Sequence, residues 1–270
     1  MYIKCMGIRS LLFAMFLLFS KGSHTCTSKR FLSMKRDIVK KNTGLSYKPN
    51  KPNQQEYVGY LNNPKNKLIF AVGPAGTGKT LFACSRAIQE LKAGSIEKII
   101  ITRPIVPVEE DLGFLPGNIN KKMDPWVRPV YDLFLEVFSQ KELEAMVHTG
   151  VIEISPLAYM RGRTFKHCFI IADEMQNSSP NQMLMLITRV GIQSRMVVTG
   201  DLKQSDKGIN SGLSDFIKKY NYYKSCQENN SNTDFIKLTQ FNNNDVERSD
   251  VVSGILNIYE YFDNNSPNKM

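Results

Sequence analysis

The sequence predicts an α/β fold with a mainly parallel sheet and helices on both of its faces. Three observations carry that expectation. Short apolar runs rich in β-branched residues alternate with stretches of helical period. The first junction between such a run and a helix is a glycine-rich loop, VGPAGTGKTL (72–81). A later apolar run, CFIIAD (168–173), ends on two adjacent carboxylates, Asp173 and Glu174.

The chain opens with a leader. Lys4 and Arg9 precede the unbroken apolar run LLFAMFLLF (11–19), and Ser20, Gly22, Ser23 and Thr25 follow as small residues. Residues 1–25 therefore have the pattern of a secretory signal peptide, and nine apolar residues are too few to span a bilayer comfortably. From Lys21 to Lys51 the chain is basic, carries Ser and Thr, and holds one acid, Asp37. Residues 26–47 accordingly read as a transit-like leader. A signal followed by a transit segment implies delivery through the secretory route to a plastid-like organelle. A mitochondrial presequence, simple secretion, an uncleaved anchor and a cytoplasmic location are the alternatives. No stable membrane insertion is expected once the leader is removed.

Charge follows the same division. The net charge is +10, yet residues 1–70 hold 13 Lys and Arg against 2 Asp and Glu, and residues 71–270 hold 22 against 23. The basicity belongs to the N-terminal segment, so bulk charge gives the rest of the chain no reason to bind nucleic acid. Of five cysteines, Cys5 and Cys26 fall in the leader; Cys84, Cys168 and Cys226 are far apart and form no C-x-x-C. They read as free thiols in a reducing compartment, with Cys84 and Cys168 as small buried hydrophobes.

The remaining elements follow in order across residues 48–263, with a polar tail at 264–270. KPNKPNQQEYVGYL (48–61) starts with Pro and Asn and turns helical. LIFAV (68–72) is a strand, and LFACSRAIQELKA (81–93) an amphipathic helix. KIIIT (98–102) is a second strand, buried on both faces. Residues 103–125, with four prolines and three acids in a row, read as an ordered loop excursion. Residues 126–147 have helical period. VIEIS (151–155), CFIIAD (168–173), MVVTGD (196–201) and DFIKL (234–238) are further strands, and residues 179–190 are a helix between the fourth and fifth. Asn-rich residues 221–233 and 242–245 read as solvated loops. The sequence shows no internal repeat.

The loop fits G-x-x-x-x-G-K-[ST], the Walker A pattern, through Gly73, Pro74, Ala75, Gly76, Thr77, Gly78, Lys79 and Thr80. Glycines let the backbone turn its N–H groups toward one point, at a helix N-terminus where partial positive charge collects. Lys79 adds a full charge for the β- and γ-phosphates, and the Thr80 hydroxyl can ligate Mg²⁺. Asp173 ends the strand where the matching Mg²⁺ carboxylate belongs, and Glu174 is placed to polarise an attacking water. Thr199-Gly200-Asp201 with Gln204 follows the next strand and suits a group that senses the third phosphate. A plain helix cap and turn is the alternative there. Arg103, Arg161, Arg163, Arg189 and Arg248 are all candidates for the arginine that transition-state charge requires, and pattern does not choose among them. His24, His148 and His167 are isolated, and no G-x-S-x-G is present.

Several of these motifs agree in order and spacing with one family. GPAGTGKT (73–80), TRP (102–104), EDLGFLPGNI (110–119), RPVYD (128–132), AYMRGRTF (158–165), DEMQN (173–177), LITRVG (186–191), GDLKQSD (200–206) and SGLSD (211–215) resemble the PhoH family of P-loop NTPases. The likeness spans about residues 50–262. It implies a RecA-like core similar to the ATP-binding domain of superfamily 1 helicases, with ATP and Mg²⁺ as cofactors. Gln54, in PNQQEY, matches the upstream glutamine expected to read adenine. Lys79, Thr80, Asp173, Glu174 and Gln204 match the nucleotide site, Arg103 and Arg161–Arg163 match further family positions, and Arg248 matches a late family arginine. One departure is Met175, where the family usually has alanine after Asp-Glu. No second RecA-like domain, PIN nuclease domain or KH domain is expected in this chain. A ring-like homo-oligomer, in which another copy supplies the partner surface, is what the resemblance implies.

The expected activity is Mg²⁺-dependent ATP hydrolysis coupled to RNA metabolism, as a helicase or remodelling ATPase in an organelle. RNA enters through the resemblance alone. The rival is a regulatory module, an ATP-dependent switch that carries partners without unwinding. A P-loop kinase is a third reading, and the Asp-Glu pair with G-D-x-x-Q suits water activation better.

Overall fold

Apolar runs with no polar face build the middle of the sheet. The computed structural model describes residues 47–104, 128–226 and 233–247, with positions 251, 254, 255 and 258 beyond them. β1 (Leu68–Val72), β4 (Cys168–Ala172) and β5 (Arg195–Gly200) are buried along their whole length. β2 (Lys98–Thr102), β3 (Ile152–Ile154) and β6 (Ile236–Gln240) complete six strands in the order β3-β2-β4-β5-β1-β6, every pair parallel. Parallel strands are covered on both faces by their crossovers, which is why β1, β2, β4 and β5 lack hydrophobic–polar alternation, while the edge strands β3 (IEI) and β6 (IKLTQ) carry polar residues.

The two faces divide by residue parity. Leu68, Phe70, Ile170, Met196 and Val198 pack against Met160, Met183, Leu186, Leu213 and Ile217. These last come from a short turn at Leu157–Met160, from α4 (Pro180–Ile187) and from α5 (Gly212–Cys226). Ile69, Ala71, Ile99 and Ile171 alternate to the opposite face and are equally buried. There α1 (Pro52–Asn62) lies against β1 and β6, and α2 (Lys79–Lys92) against β2, β4 and β5. α3 (Gln140–His148) precedes β3 in the chain and packs next to it. Ser139 and Ser179 begin α3 and α4 with capping boxes closed by Glu142 and Gln182.

A buried arginine locks α1 and α2 to the sheet. Arg195, the first residue of β5, pairs with Glu90 of α2 and donates to the carbonyls of Asn66 and Leu61, at 3.1 and 2.8 Å. Burial pushes its guanidinium below the ordinary value, against the pull of Glu90. Removing one partner of so buried a pair costs about 3–5 kcal/mol.

Five expectations need correction. Residues 126–147 are not one helix: residues 128–135 are helical, a turn follows, and the Ser139 capping box starts α3 afresh. Trp126 lies outside the described residues. The third strand is shorter than residues 151–155, because only Ile152–Ile154 pair with β2. The sixth strand is shifted two residues onward, since Thr239 and Gln240 still pair with Ala71 and Val72 while residues 233–235 form a turn. Residues 221–226 are the end of α5 rather than loop; Leu213, Ile217 and Tyr220 give that helix one buried face. Residues 242–245 are solvated only in part: Asn242, Asn243 and Asn244 are exposed, but they turn around buried Asp245, which accepts from Asn242 N at 2.8 Å and Asn53 Nδ2 at 2.7 Å. Residues 1–46 of the leader, the tail, residues 105–125 of the loop excursion and residues 227–232 of the Asn-rich stretch lie outside the described residues. No helix among the described residues is long and apolar enough to cross a membrane.

Candidate nucleotide site

Three neighbouring strands, β4, β5 and β1, end at one edge of the sheet, and their C-terminal loops meet there. This is the usual place for a ligand crevice in an open parallel sheet. The loop after β1 is shaped by two glycines. Gly73 has φ 148°, and a Cβ there would stand 2.4 Å from the Phe241 carbonyl oxygen. Gly78, at φ 83°, begins α2, and a Cβ there would touch the Phe82 ring at 2.7 Å.

The loop is braced from outside. Gly73 N donates to Gly200 O at 3.0 Å, Glu247 N to Gly76 O at 3.0 Å and the Tyr57 hydroxyl to Lys79 O at 3.0 Å. Gln54 Nε2 reaches Thr77 O and Asp245 O, each at 3.4 Å, and Gln54 Oε1 accepts from Asn50 N and Lys51 N. Inside the loop, Thr77 Oγ1 donates to Pro74 O at 3.0 Å. Lys79 Nζ donates to the carbonyls of Gly73 and Pro74 at 2.7 and 2.6 Å. Burial holds the Lys79 ammonium below its ordinary value, against Asp201, Glu174 and Asp173, which favour its charge.

Opposite the loop stand the carboxylates. Asp173 Oδ1 accepts from Thr80 Oγ1 at 2.9 Å and from the buried Thr199 hydroxyl. Glu174 takes a left-handed backbone, φ 53°, unusual for a residue with a side chain. Its carboxylate accepts from Gln176 Nε2 and lies 3.9 Å from Arg103 Nη2. Asp201 caps the turn Leu202–Gln204 by accepting from Lys203 N at 3.0 Å. Its own N–H goes to Gln176 Oε1 at 3.1 Å.

Ala75, Gly76, Gly78, Lys79, Thr80, Asp173, Glu174, Gly200, Asp201 and Gln204 line one cavity of about 210 Å³. Asp201 is thus both a turn cap and a wall of the cavity. Gly73 and Pro74 line a neighbouring cavity of about 580 Å³, walled across by residues 240–244. Gln54 lies behind the loop at Thr77. Among the arginines, Arg103 alone of the described ones is paired with a cavity carboxylate. Arg163 pairs with Glu153 at 2.5 Å and lies over the Phe165 ring, Arg161 is exposed, and Arg189 donates to Met185 O and Arg163 O. Arg248 lies outside the described residues. Two contributions went unforeseen in the sequence: the Thr199 hydroxyl on Asp173, and Gln176, whose amide joins Glu174 to Asp201. The first follows from strand register; the second joins residues 25 positions apart and leaves no local signal.

The donor set fits Mg²⁺ with a nucleoside triphosphate. A hydroxyl and a carboxylate, both hard oxygen donors, stand side by side, and Mg²⁺ takes few protein ligands beside water and phosphate oxygens. Among the described residues no group of three or more His, Cys, Asp or Glu gathers into a fuller cage.

A family model described as PhoH-like protein matches residues 46–260. A PhoH-like protein of Bacillus subtilis (strain 168) is 42% identical over 233 residues, spanning 85% of this chain and 69% of its own length. That of Mycobacterium tuberculosis (strain ATCC 25618 / H37Rv) is 38% identical over 222 residues, spanning 82% of this chain and 60% of its own length. Among solved structures, the Sulfolobus solfataricus SWI2/SNF2 ATPase core in complex with dsDNA is similar at TM-score 0.43 and 14% identity, over 77% of this chain and 49% of that one. A likeness of that size says nothing of ligands or partners. The family match covers most of the chain, and the sheet, phosphate loop and strand-end carboxylates agree with it. The chain belongs to the PhoH family, with the α/β, RecA-like fold of the P-loop NTPases.

Proposed function

We propose that this domain binds ATP with Mg²⁺, hydrolyses it, and couples the hydrolysis to work on RNA in an organelle. One observation supports the hydrolytic reading above the rest: Asp173 gathers the Thr80 and Thr199 hydroxyls, and Glu174 projects beside it into the cavity that Lys79 enters. Thr80 and Asp173 would hold Mg²⁺, which when bound neutralises charge on the β- and γ-phosphate oxygens. Residues 73–80 offer the phosphates backbone N–H groups, and Lys79 adds its charge. Glu174 orients and polarises the attacking water, and Gln204 with Asp201 senses the third phosphate. Gln54 positions adenine through the loop it braces at Thr77.

The family resemblance supports a homo-oligomer in which a neighbouring copy supplies the arginine for the γ-phosphate, with Arg248 as that residue and Arg161 or Arg163 as the fallback. Mixing Arg248→Ala with Lys79→Ala subunits should restore part of the activity that each lacks alone. No recovery in mixed oligomers, verified by native mass spectrometry, counts against it. Residues 1–47 are the organelle address, and a fluorescent fusion lacking them should stay in the cytosol.

The RNA assignment draws on the family resemblance. The near-neutral charge of residues 71–270 favours the rival, an ATP-dependent switch that acts on protein partners. ATPase rates with and without Mg²⁺, then across an RNA titration, decide. Hydrolysis that needs Mg²⁺ and rises with RNA supports the proposal. Hydrolysis indifferent to RNA supports the switch, and no hydrolysis in Mg²⁺ removes the ATPase reading and leaves a switch driven by ATP binding alone.

A further inference from the structure

We infer that Gln176 is a positioning residue for hydrolysis, whose buried amide sets the Glu174 carboxylate and ties it to the loop after β5. The inference rests on the ATPase reading above.

Gln176 is 1% exposed, in the tight turn Met175–Asn177 that follows Glu174. A polar side chain so enclosed needs partners for both ends of its amide. It has them on two sides of the site. Nε2 donates to Glu174 Oε2, and Oε1 accepts from Asp201 N at 3.1 Å. The backbone repeats the connection: Ser205 Oγ donates to Gln176 O at 3.0 Å, and Asp206 N to Asn177 Oδ1 at 3.0 Å. Hydrogen bonds from the side chain and from the backbone thus bind the turn after β4 to residues 201–206, the loop that places Asp201 and Gln204 on the cavity wall.

The neighbouring sequence is shaped to admit this amide. Gly200 ends β5, and a Cβ there would stand 2.7 Å from Gln176 Oε1 and 2.6 Å from Leu213 Cδ2. Glu174 itself holds a left-handed backbone that its side chain does not favour. Two side chains reach its carboxylate, Gln176 by a hydrogen bond and Arg103 at 3.9 Å, and the hydrogen bond is the closer constraint. An amide offers a donor to a carboxylate and an acceptor to a backbone N–H from one short planar group. A shift of residues 201–206 on contact with phosphate reaches the turn after Glu174 through three hydrogen bonds, and of these the Gln176 amide alone runs on to the Glu174 carboxylate.

Two variants separate the bonds. Gln176→Met keeps length and burial and loses both. Gln176→Glu keeps the acceptor for Asp201 N; its carboxyl still donates to Glu174 while protonated, so kcat is compared with the wild type from about pH 7 to 9, where ionisation sets a like charge against Glu174. In both, kcat should fall tenfold or more, as for loss of a hydrogen bond to a charged group, while ADP affinity by titration calorimetry stays within about twofold. Hydrogen exchange at the Asp201 amide should quicken in the Met variant and not in the Glu variant. In a Glu174→Gln background, adding Gln176→Met should bring no further loss, because both changes remove one function. A wild-type kcat in the Glu variant throughout that range overturns the role, as does a fully multiplicative loss in the double variant or a parallel fall in ADP affinity. Should the Met variant not fold, the Glu variant alone still decides. A wild-type chain that hydrolyses nothing sinks the ATPase reading and this role with it; an active wild type beside equally active variants sinks the role alone.

Discussion

Gly73→Ala asks what the first glycine of the phosphate loop is for. The added Cβ would stand 2.4 Å from Phe241 O, 2.7 Å from Phe241 Cβ and 2.9 Å from its carbonyl carbon. Carbon–oxygen contacts settle at about 3.3 Å or more, so the loop must retreat by roughly 1 Å. Phe241 has no room to yield. Its N–H donates to Val72 O at 2.7 Å, and its ring packs edge-on against buried Tyr57. Overpacking of this kind costs about 1–3 kcal/mol, and a side chain at an unfavourable positive φ about 1–3 kcal/mol more. For a domain of this size that corresponds to a fall in Tm of roughly 5–20 °C. Gly94→Ala is the control: Gly94 has φ 71°, and a Cβ added there would meet nothing within 4 Å, so it bears the backbone cost alone, about 1–2 kcal/mol. Scanning calorimetry measures both, and titration with ADP should show that only the Gly73 variant loses affinity. A Gly73→Ala protein as stable as Gly94→Ala would refute the claim that this glycine serves close approach to the residue after β6.

Other changes divide binding from turnover. Lys79→Ala should leave the fold intact, since Lys79 Nζ donates to loop carbonyls and holds no core contact together, and should abolish measurable nucleotide binding in the same calorimeter. Glu174→Gln should bind ATP normally and hydrolyse it about a hundredfold or more slowly; an unchanged rate would clear Glu174 of the role. Iodoacetamide at about pH 8, mapped by mass spectrometry, should label exposed Cys226 and spare buried Cys84 and Cys168 until the chain unfolds. Burial raises both thiols, Cys168 to about 11, so each stays protonated and unreactive below that range; labelling of Cys84 in the native protein would contradict the packing of α2. Deletion of residues 1–44 should leave ATPase activity unchanged, and its loss in a folded truncation would move the domain boundary.

How much of this was legible depended on how each residue earns its place. LIFAV and KIIIT are strands to the residue because both faces are buried and nothing else suits such runs. The edge strand β6 misled, because its pairing continues through polar Thr239 and Gln240, which carry no apolar signal. In residues 221–226 composition outweighed pattern, although Leu213, Ile217 and Tyr220 already stood at helical spacing. The Ser139 capping box was equally present in the letters, hidden by apolar residues on either side of it. At the site, Lys79, Thr80, Asp173, Glu174 and Gln204 were readable because each sits at a fixed distance from a strand end. Gln176 was not, since its meaning lies in a partner on another strand's loop.

The alignment of the site depends on strand register as much as on its loops. Ala172 pairs with Val198 and Val72 with Gly200, so the ends of β4, β5 and β1 come level. Side chains alternate along a strand, and a slip of β5 by one residue would turn Thr199 to the opposite face, away from Asp173. What resists the slip stands at the other end of the same strand. Arg195 shares its face with Val197 and Thr199, and its guanidinium is held by Glu90 and by the carbonyls of Asn66 and Leu61. Roughly four residues of strand, about 13 Å, separate that anchor from the hydroxyl on Asp173. A buried ion pair adds little net stability against a well-packed apolar replacement, but it tolerates only one arrangement of its partners. Specifying register is therefore the role that best accounts for an arginine here, and it makes the far end of β5 part of what holds Asp173 in place.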